Sequence, residues 1–400
     1  MGPFQVLVGP NASGKTTFLD VLAFLGDVVS SGPDVAIAKR ARDVRDLIWG
    51  RKPGKFQLAL EAAIPRAIRD RFEDTRWTTI RYEFVGGVLD DGEFGIDQEA
   101  VLLKTDSKEA NQQRPRFPER RLAPDSLVTP KRGKQNVRRV VSKTPHGNDN
   151  FYSERHPDSG KGWFPSIRLG PRRSAPGSLP ADETRFPASL WLQGLLRDGV
   201  HSLALNSLLI RKASPPGQPR GFRPDGSNLP WVVAELERKA PQRFRQWLAH
   251  LATALPDFES IRTVEREDDH HRYLVIRYRG GLEVPSWVAS DGTLRLLALT
   301  ILAYIPDLEG TFLVEEPENG IHPCAVETVF QSLSSVYDAQ VLIATHSPVI
   351  LSLANLDAIM CFAKTPDGAT DIVVGREHPS LRNWKGDVRI EDLFASWVLG

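Results

Sequence analysis

The sequence predicts an α/β protein built on a mixed central sheet, and three observations carry that expectation. A glycine-rich turn, Gly9–Thr16, sits between an apolar run and a helical pattern. About three hundred residues later another apolar run, 312–314, ends in the paired glutamates Glu315 and Glu316. A third, Gln340-Val-Leu-Ile-Ala-Thr, ends in His346. Apolar strands alternating with helices are the pattern of a largely parallel sheet.

The opening run Phe4-Gln5-Val6-Leu7-Val8 reads as a buried strand. It leads into G-P-N-A-S-G-K-T, a full G-x-x-x-x-G-K-[ST] pattern, and then into TFLDVLAFLGDVV with apolar residues at helical spacing. In that context consecutive amides turn inward on a phosphate, and the helix N-terminus adds partial positive charge. Asn11, Ala12, Ser13, Gly14, Lys15, Thr16 and Thr17 are therefore expected around the phosphates of ATP. Lys15 would reach the β- and γ-phosphates, and the Thr16 hydroxyl would take a position on Mg2+.

Two adjacent carboxylates at the end of an apolar strand repel each other, so they need a cation or a phosphoryl group to offset them. The strand 312–314 is expected beside the Phe4–Val8 strand in a parallel sheet. That would aim Glu315 at the metal and Glu316 at the attacking water. The competing reading is a solvated acidic loop. Ser290-Asp-Gly-Thr293 opens the apolar-rich helix LRLLALTILAYI. Ser290 is first of all an N-cap, although the same geometry offers a hydroxyl and free amides to a phosphate. His346 follows a buried-looking strand one strand–helix–strand step after Glu316, which makes it a candidate γ-phosphate sensor.

Taken together, Gly9–Thr16, SDGT, FLVEEPENGIHP and ATHSP resemble the motif series of ABC-type ATPase heads. The similarity is to the bacterial AAA family ATPases related to OLD proteins and to RecF and SMC heads. It is sharp over 4–20 and 286–350 and looser over 56–103 and 165–260, with RPDGSNLP (223–230) and the closing EDLFASWVLG adding to it. The resemblance implies a P-loop NTPase fold with a mixed central sheet, an antiparallel side sheet and a helical lobe. It makes Lys15 and Thr16 the Walker A pair, Glu315 the Walker B metal ligand, Glu316 the catalytic glutamate and His346 the switch histidine. Ser290, Asp291 and Gly292 take the signature position, which in this superfamily contacts the nucleotide of a second protomer. It also implies an ATPase that dimerises on binding ATP and acts in bacterial anti-phage defence or DNA maintenance; the longer Glu315 side chain is expected to slow its turnover, and any cleavage is expected from a separate effector such as a nuclease.

Several features depart from the family pattern. The signature is SDGT where LSGG is usual, and Walker B has Glu315 where aspartate is usual. The family usually has strands before the P-loop strand and only three residues precede Phe4 here, so two readings stay open: the adenine-side edge of the sheet is missing, or the start codon is misassigned. Only 54 residues follow His346, too few for the nuclease module of OLD proteins. Gln57 and Gln135 are both open as the glutamine of the Q-loop.

Composition constrains the rest. The net charge of +1 does not by itself demand nucleic acid or an anionic membrane. The two cysteines, Cys324 and Cys361, have no CxxC spacing, and no signal peptide opens the chain, so a cytoplasmic protein is expected. The apolar stretches Phe18–Val29 and Leu294–Ile305 are broken by Asp20, Asp27 and Arg295, so neither is expected to span a bilayer. The motifs divide one ATPase head into 1–103 (Walker A lobe with side sheet), 104–184 (a basic, proline-rich insertion), 185–260 (a helical lobe) and 261–400 (signature, Walker B and switch histidine). Within 104–173 there are 17 Lys and Arg against 7 Asp and Glu. That window reads either as a solvated insertion or as a nucleic-acid surface with Phe117, Phe151, Tyr152, Trp163 and Phe164 interleaved. Segments 189–209 and 229–255 carry helical periodicity, with Trp191, Trp231 and Trp247 on core faces. Residues 261–285 return to strand alternation, and Asp268-Asp269-His270-His271 reads as a solvated hairpin turn. A RecF-like DNA-binding repair ATPase, a transporter ATPase subunit and a non-hydrolysing nucleotide sensor are the alternative functions.

Overall fold

The computed structural model describes residues 1–51, 54–72, 74–89, 92–105, 114–120, 124–130, 136–155, 166–218 and 221–382. Gln135, Trp163, Phe164 and the closing EDLFASWVLG lie outside the described residues. In chain order the strands are β1 (Phe4–Val8), β2 (Lys55–Ala63), β3 (Thr79–Val88), β4 (Phe94–Lys104), β5 (Val137–Lys143), β6 (Asn150–Phe151) and β7 (Val200–Leu203). They continue with β8 (Phe258–Glu265), β9 (Arg272–Tyr278), β10 (Glu283–Pro285), β11 (Thr311–Glu315), β12 (Gln340–Ala344), β13 (Ile359–Lys364) and β14 (Thr370–Val374). The chain divides into two compact units, one of residues 1–19, 113–121 and 201–400, the other of residues 20–112 and 122–200.

The first unit is built on a six-stranded sheet of order β14-β13-β1-β12-β11-β7. β1 pairs in parallel with both β12 and β13, β11 pairs in parallel with β12, and β14 closes one edge antiparallel to β13. The four parallel strands are near-continuous apolar runs, as strands buried on both faces must be. Val6, Val8, Phe312, Val314, Val341 and Ile343 join one core cluster with Leu294, Leu297, Val329 and Leu333 from helices Asp291–Thr300 and Pro323–Ser334. Their spacing of two is that of one strand face. Strand 312–314 was expected beside β1, and here the structure corrects the sequence reading: β12 lies between them. Apolar content marks a strand as central but does not say which central strand it neighbours.

Helices Leu229–Lys239 and Pro241–Ala254 complete this unit, with Trp247 fully buried and its indole N–H donating to Thr300 Oγ1 at 2.9 Å. The helical reading of 189–209 holds only in part. Helix Pro187–Asp198 stops at Gly199, and 200–203 form the edge strand β7. β8, β9 and β10 form a separate three-stranded antiparallel sheet, with Asp268–His271 at its hairpin turn. The segment 114–120 also belongs to this unit: Arg114 and the Glu119 amide both donate to the Asp371 carboxylate of β14 at 2.9 Å. Phe117 packs edge-on to the His378 ring at 5.0 Å.

The second unit is a five-stranded antiparallel sheet of order β2-β3-β4-β5-β6. Ile80, Tyr82, Phe84, Val101 and Phe151 pack with Phe24, Leu25 and Val28 of the helix Lys15–Ser31 and with Leu192 and Leu196 of helix Pro187–Asp198. Part of the basic segment is thus sheet core, since β5 buries Val140 and Val141. Phe151 is core too, and Arg138 and Arg139 donate to the carbonyls of Glu154, Ser153 and Thr129. Glu99 and Glu154 are buried, and burial raises the pKa of both carboxyls. Glu99 accepts from Tyr82, Ser174 and the Ala175 amide, and Glu154 accepts from the amides of Ala188 and Ser189 at the start of their helix. Gln57 accepts from Ser126 and the Leu127 amide.

Candidate nucleotide site

The site lies at the carboxyl ends of β1, β12 and β11, where the chain leaves the sheet. The Thr345 amide donates to Leu7 O at 3.1 Å and the Glu316 amide to Ala344 O at 2.7 Å. These bonds lace the three strand ends together and fix the relative heights of the loops they launch.

The loop after β1 needs backbone freedom. Gly9, Ala12 and Gly14 have φ of 149°, 61° and 103°, a region that favours glycine at the two glycine positions. At Gly14 a Cβ would stand 2.6 Å from Thr370 Oγ1, and that hydroxyl donates to Ser13 O at 2.9 Å. Thr370 of β14 therefore shapes the loop from behind, a role with no sequence signal. Lys15 is buried; its ammonium donates to Gly9 O at 2.8 Å and Pro10 O at 2.9 Å, the carbonyls of its own loop. Desolvation lowers its pKa, opposed by Glu316 and Glu315.

Thr16 Oγ1 donates to Glu315 Oε2 at 2.6 Å, across 299 residues of sequence. Glu316 takes a left-handed φ of 46°, and its Oε2 accepts from Asn319 Nδ2 at 2.5 Å. A non-glycine residue there is strained and is held by its neighbours. His346 has a lowered pKa, first through desolvation and then through the charge of Lys15, with Glu316 and Glu318 acting the other way. It is therefore a neutral imidazole near neutral pH. Lys15, Thr16, Glu315, Glu316 and His346 thus share one locality, as do Asn11–Gly14 and Thr17 of the loop and its helix.

Ser290 is the N-cap of helix Asp291–Thr300, accepting from the Thr293 amide at 3.1 Å. Arg211, which carries no motif, binds Asp291 at 2.7 Å and the Ala289 carbonyl at 2.9 Å. At Gly292 a Cβ would meet Gly320 O at 2.6 Å, and Arg295 donates to Asn319 O at 2.9 Å. The signature helix is therefore packed against the turn that follows Glu316.

The residues suit a nucleotide with its metal. Ser13 Oγ is buried in the loop without a hydrogen-bond partner among the described residues. Thr16 and Glu315 are a pair of hard oxygen ligands of the kind Mg2+ takes. A family model described as "AAA domain, putative AbiEii toxin, Type IV TA system" matches residues 4–352. The chain belongs to this AAA-domain family. It carries the glycine loop of a P-loop NTPase, set between β1 and the following helix on a mixed α/β sheet. Among solved structures it is similar to an Smc head bound to the C-winged helix domain of ScpA (15% identity, TM-score 0.44, covering 92% of this chain and 89% of that one). It is similar also to the Smc head with an extended coiled coil bound to the C-terminal domain of ScpA from Pyrococcus furiosus (14% identity, TM-score 0.42, covering 93% and 90%). A third is the SMC head domain from Thermotoga maritima (10% identity, TM-score 0.34, covering 92% and 89%). No curated protein matches the chain. No helix among the described residues is long and apolar enough to cross a membrane.

Proposed function

We propose that this ATPase binds ATP–Mg2+ on the Gly9–Thr16 loop, hydrolyses it slowly, and uses the cycle to join and release two copies of the chain. The observation that carries the reading is the 2.6 Å contact between Thr16 and Glu315, which brings a phosphate-loop hydroxyl and a carboxylate to one point. Lys15 would exchange its two loop carbonyls for β- and γ-phosphate oxygens. Thr16 and Glu315 would hold Mg2+, which supplies charge neutralisation on the phosphates. Glu316 would orient the attacking water and draw its proton, and neutral His346 would hydrogen-bond the γ-phosphate. The γ-phosphate then supplies the differential contacts that a two-state switch requires.

Ser290, Asp291 and Gly292 would reach the nucleotide of the second copy. Trp287 and Val288, just before them, are 50% and 65% exposed, and an apolar pair at that place favours a protein contact. The toxin–antitoxin setting named in the family description favours a defence role with a separate effector chain in the cytoplasm. The OLD-like lineage belongs to the same proposal. DNA binding through the basic segment gains no support from Arg138 and Arg139, whose guanidinium groups are engaged with backbone carbonyls.

Two variants test the reading. Lys15→Ala should abolish ATP binding in a calorimetric titration. Glu316→Gln should bind ATP normally, lower turnover by ~10²-fold or more, and accumulate as a dimer in sedimentation with ATP. Wild-type turnover in Glu316→Gln would remove it as the base.

A further inference from the structure

The glutamate pair is followed by a third carboxylate, Glu318, to which neither the motifs nor the proposed mechanism gives a role. Its Oε1 accepts two hydrogen bonds from the chain after β12: Thr345 Oγ1 at 2.7 Å and the His346 amide at 3.1 Å. Its Oε2 is buried without a partner among the described residues. The turn that carries it is closed by Asn319 N to Glu316 O at 2.9 Å and Ile321 N to Glu318 O at 3.0 Å. Thr345 then accepts from the Ser347 amide at 2.9 Å, which opens the helix Pro348–Leu353.

We infer that Glu318 is a positioning residue: its carboxylate clamps the turn after β11 to the turn after β12, so that Glu316 and His346 move as one rigid pair. This rests on the proposed roles of those two residues. A charged acceptor is suited to the task, because bonds from a hydroxyl and an amide to a carboxylate are stronger than those to a neutral oxygen. The backbone bond Glu316 N to Ala344 O already joins the two strands at their ends. Glu318 repeats the tie farther out, beyond the last ladder bond, where the left-handed Glu316 and the His346 backbone would otherwise be free to shift independently. Glu318 touches no reacting atom in this scheme. Its effect is on geometry, and a displacement of about 1 Å at a reacting centre can cost ~10²-fold in rate.

The test compares Glu318→Ala and Glu318→Gln in the full chain by steady-state ATP hydrolysis, ATP titration and thermal unfolding. Glu318→Ala should lower kcat about tenfold or more while KM and the ATP dissociation constant stay within about twofold. Glu318→Gln, which retains an oxygen acceptor, should recover much of that loss. In the double variant Glu318→Ala/His346→Ala, the combined loss should be clearly smaller than the product of the two single losses, because part of the clamp's effect acts through His346. Wild-type kcat in Glu318→Ala, or additive losses in the double variant, would overturn the inference. So would equal losses in the alanine and glutamine variants accompanied by a lowered melting temperature. The underlying site reading fails separately, if Lys15→Ala retains ATP binding.

Discussion

Gly14 shows how little room the phosphate loop leaves at single residues. Its φ of 103° suits glycine, and a Cβ would enter the Thr370 hydroxyl at 2.6 Å. Gly14→Ala should therefore weaken ATP affinity at least tenfold and cost ~1–3 kcal/mol of stability, read by nucleotide titration and chemical denaturation. The glycines and Lys15 were legible in the sequence because a loop that binds phosphate through its backbone needs a fixed local pattern. Thr370 and Arg211 were not. They act by packing from segments distant along the chain, and a lone threonine or arginine carries no signature of that. Glu318 lay in plain view within FLVEEPENG, yet only the structure reveals that its partners are Thr345 and His346.

At the level of elements, β1 and its helix could be read directly, since strand, turn and helix follow one another without interruption. β7 was hidden because its four residues continue a stretch with helical spacing, and Gly199 is the break. β5 was hidden because Arg138 and Arg139 lent it the look of a solvated basic run, although their carbons flank a buried Val140–Val141 pair. Segment 114–120 turned out to be an anchored strap. Phe117 lies against His378, whose ring is buried, accepts from the Ser380 amide at 3.2 Å, and has its pKa pushed down to about 4 by burial. A histidine with a lowered pKa folds neutral, while the unfolded chain takes up a proton below about pH 6.5. Its contribution is thus intact above that pH and is lost as pH falls towards 4, by up to ~1.4 kcal/mol per unit. Urea unfolding at pH 7 and pH 5 should show this loss in the wild type and a smaller one in His378→Asn. Equal losses in both would rule His378 out as its source.

Across the whole molecule, the candidate nucleotide site is a problem of topology. β1 and β11 are separated by most of the chain and join only through β12, which explains why the strand order escaped sequence reasoning while the motifs did not. Parallel pairing puts the carboxyl ends of all three strands on one edge, so Lys15, Glu315, Glu316 and His346 meet there. The proposed mechanism requires Thr16 and Glu315 to act as one metal-binding pair. The direct measurement is a double-mutant cycle on Mg2+-dependent ATP binding, using Thr16→Ala, Glu315→Ala and both together. The account predicts strong coupling, with the double variant little worse than either single one and the Mg2+ dependence lost in all three. Additive losses, or Mg2+ dependence preserved in the double variant, would contradict it.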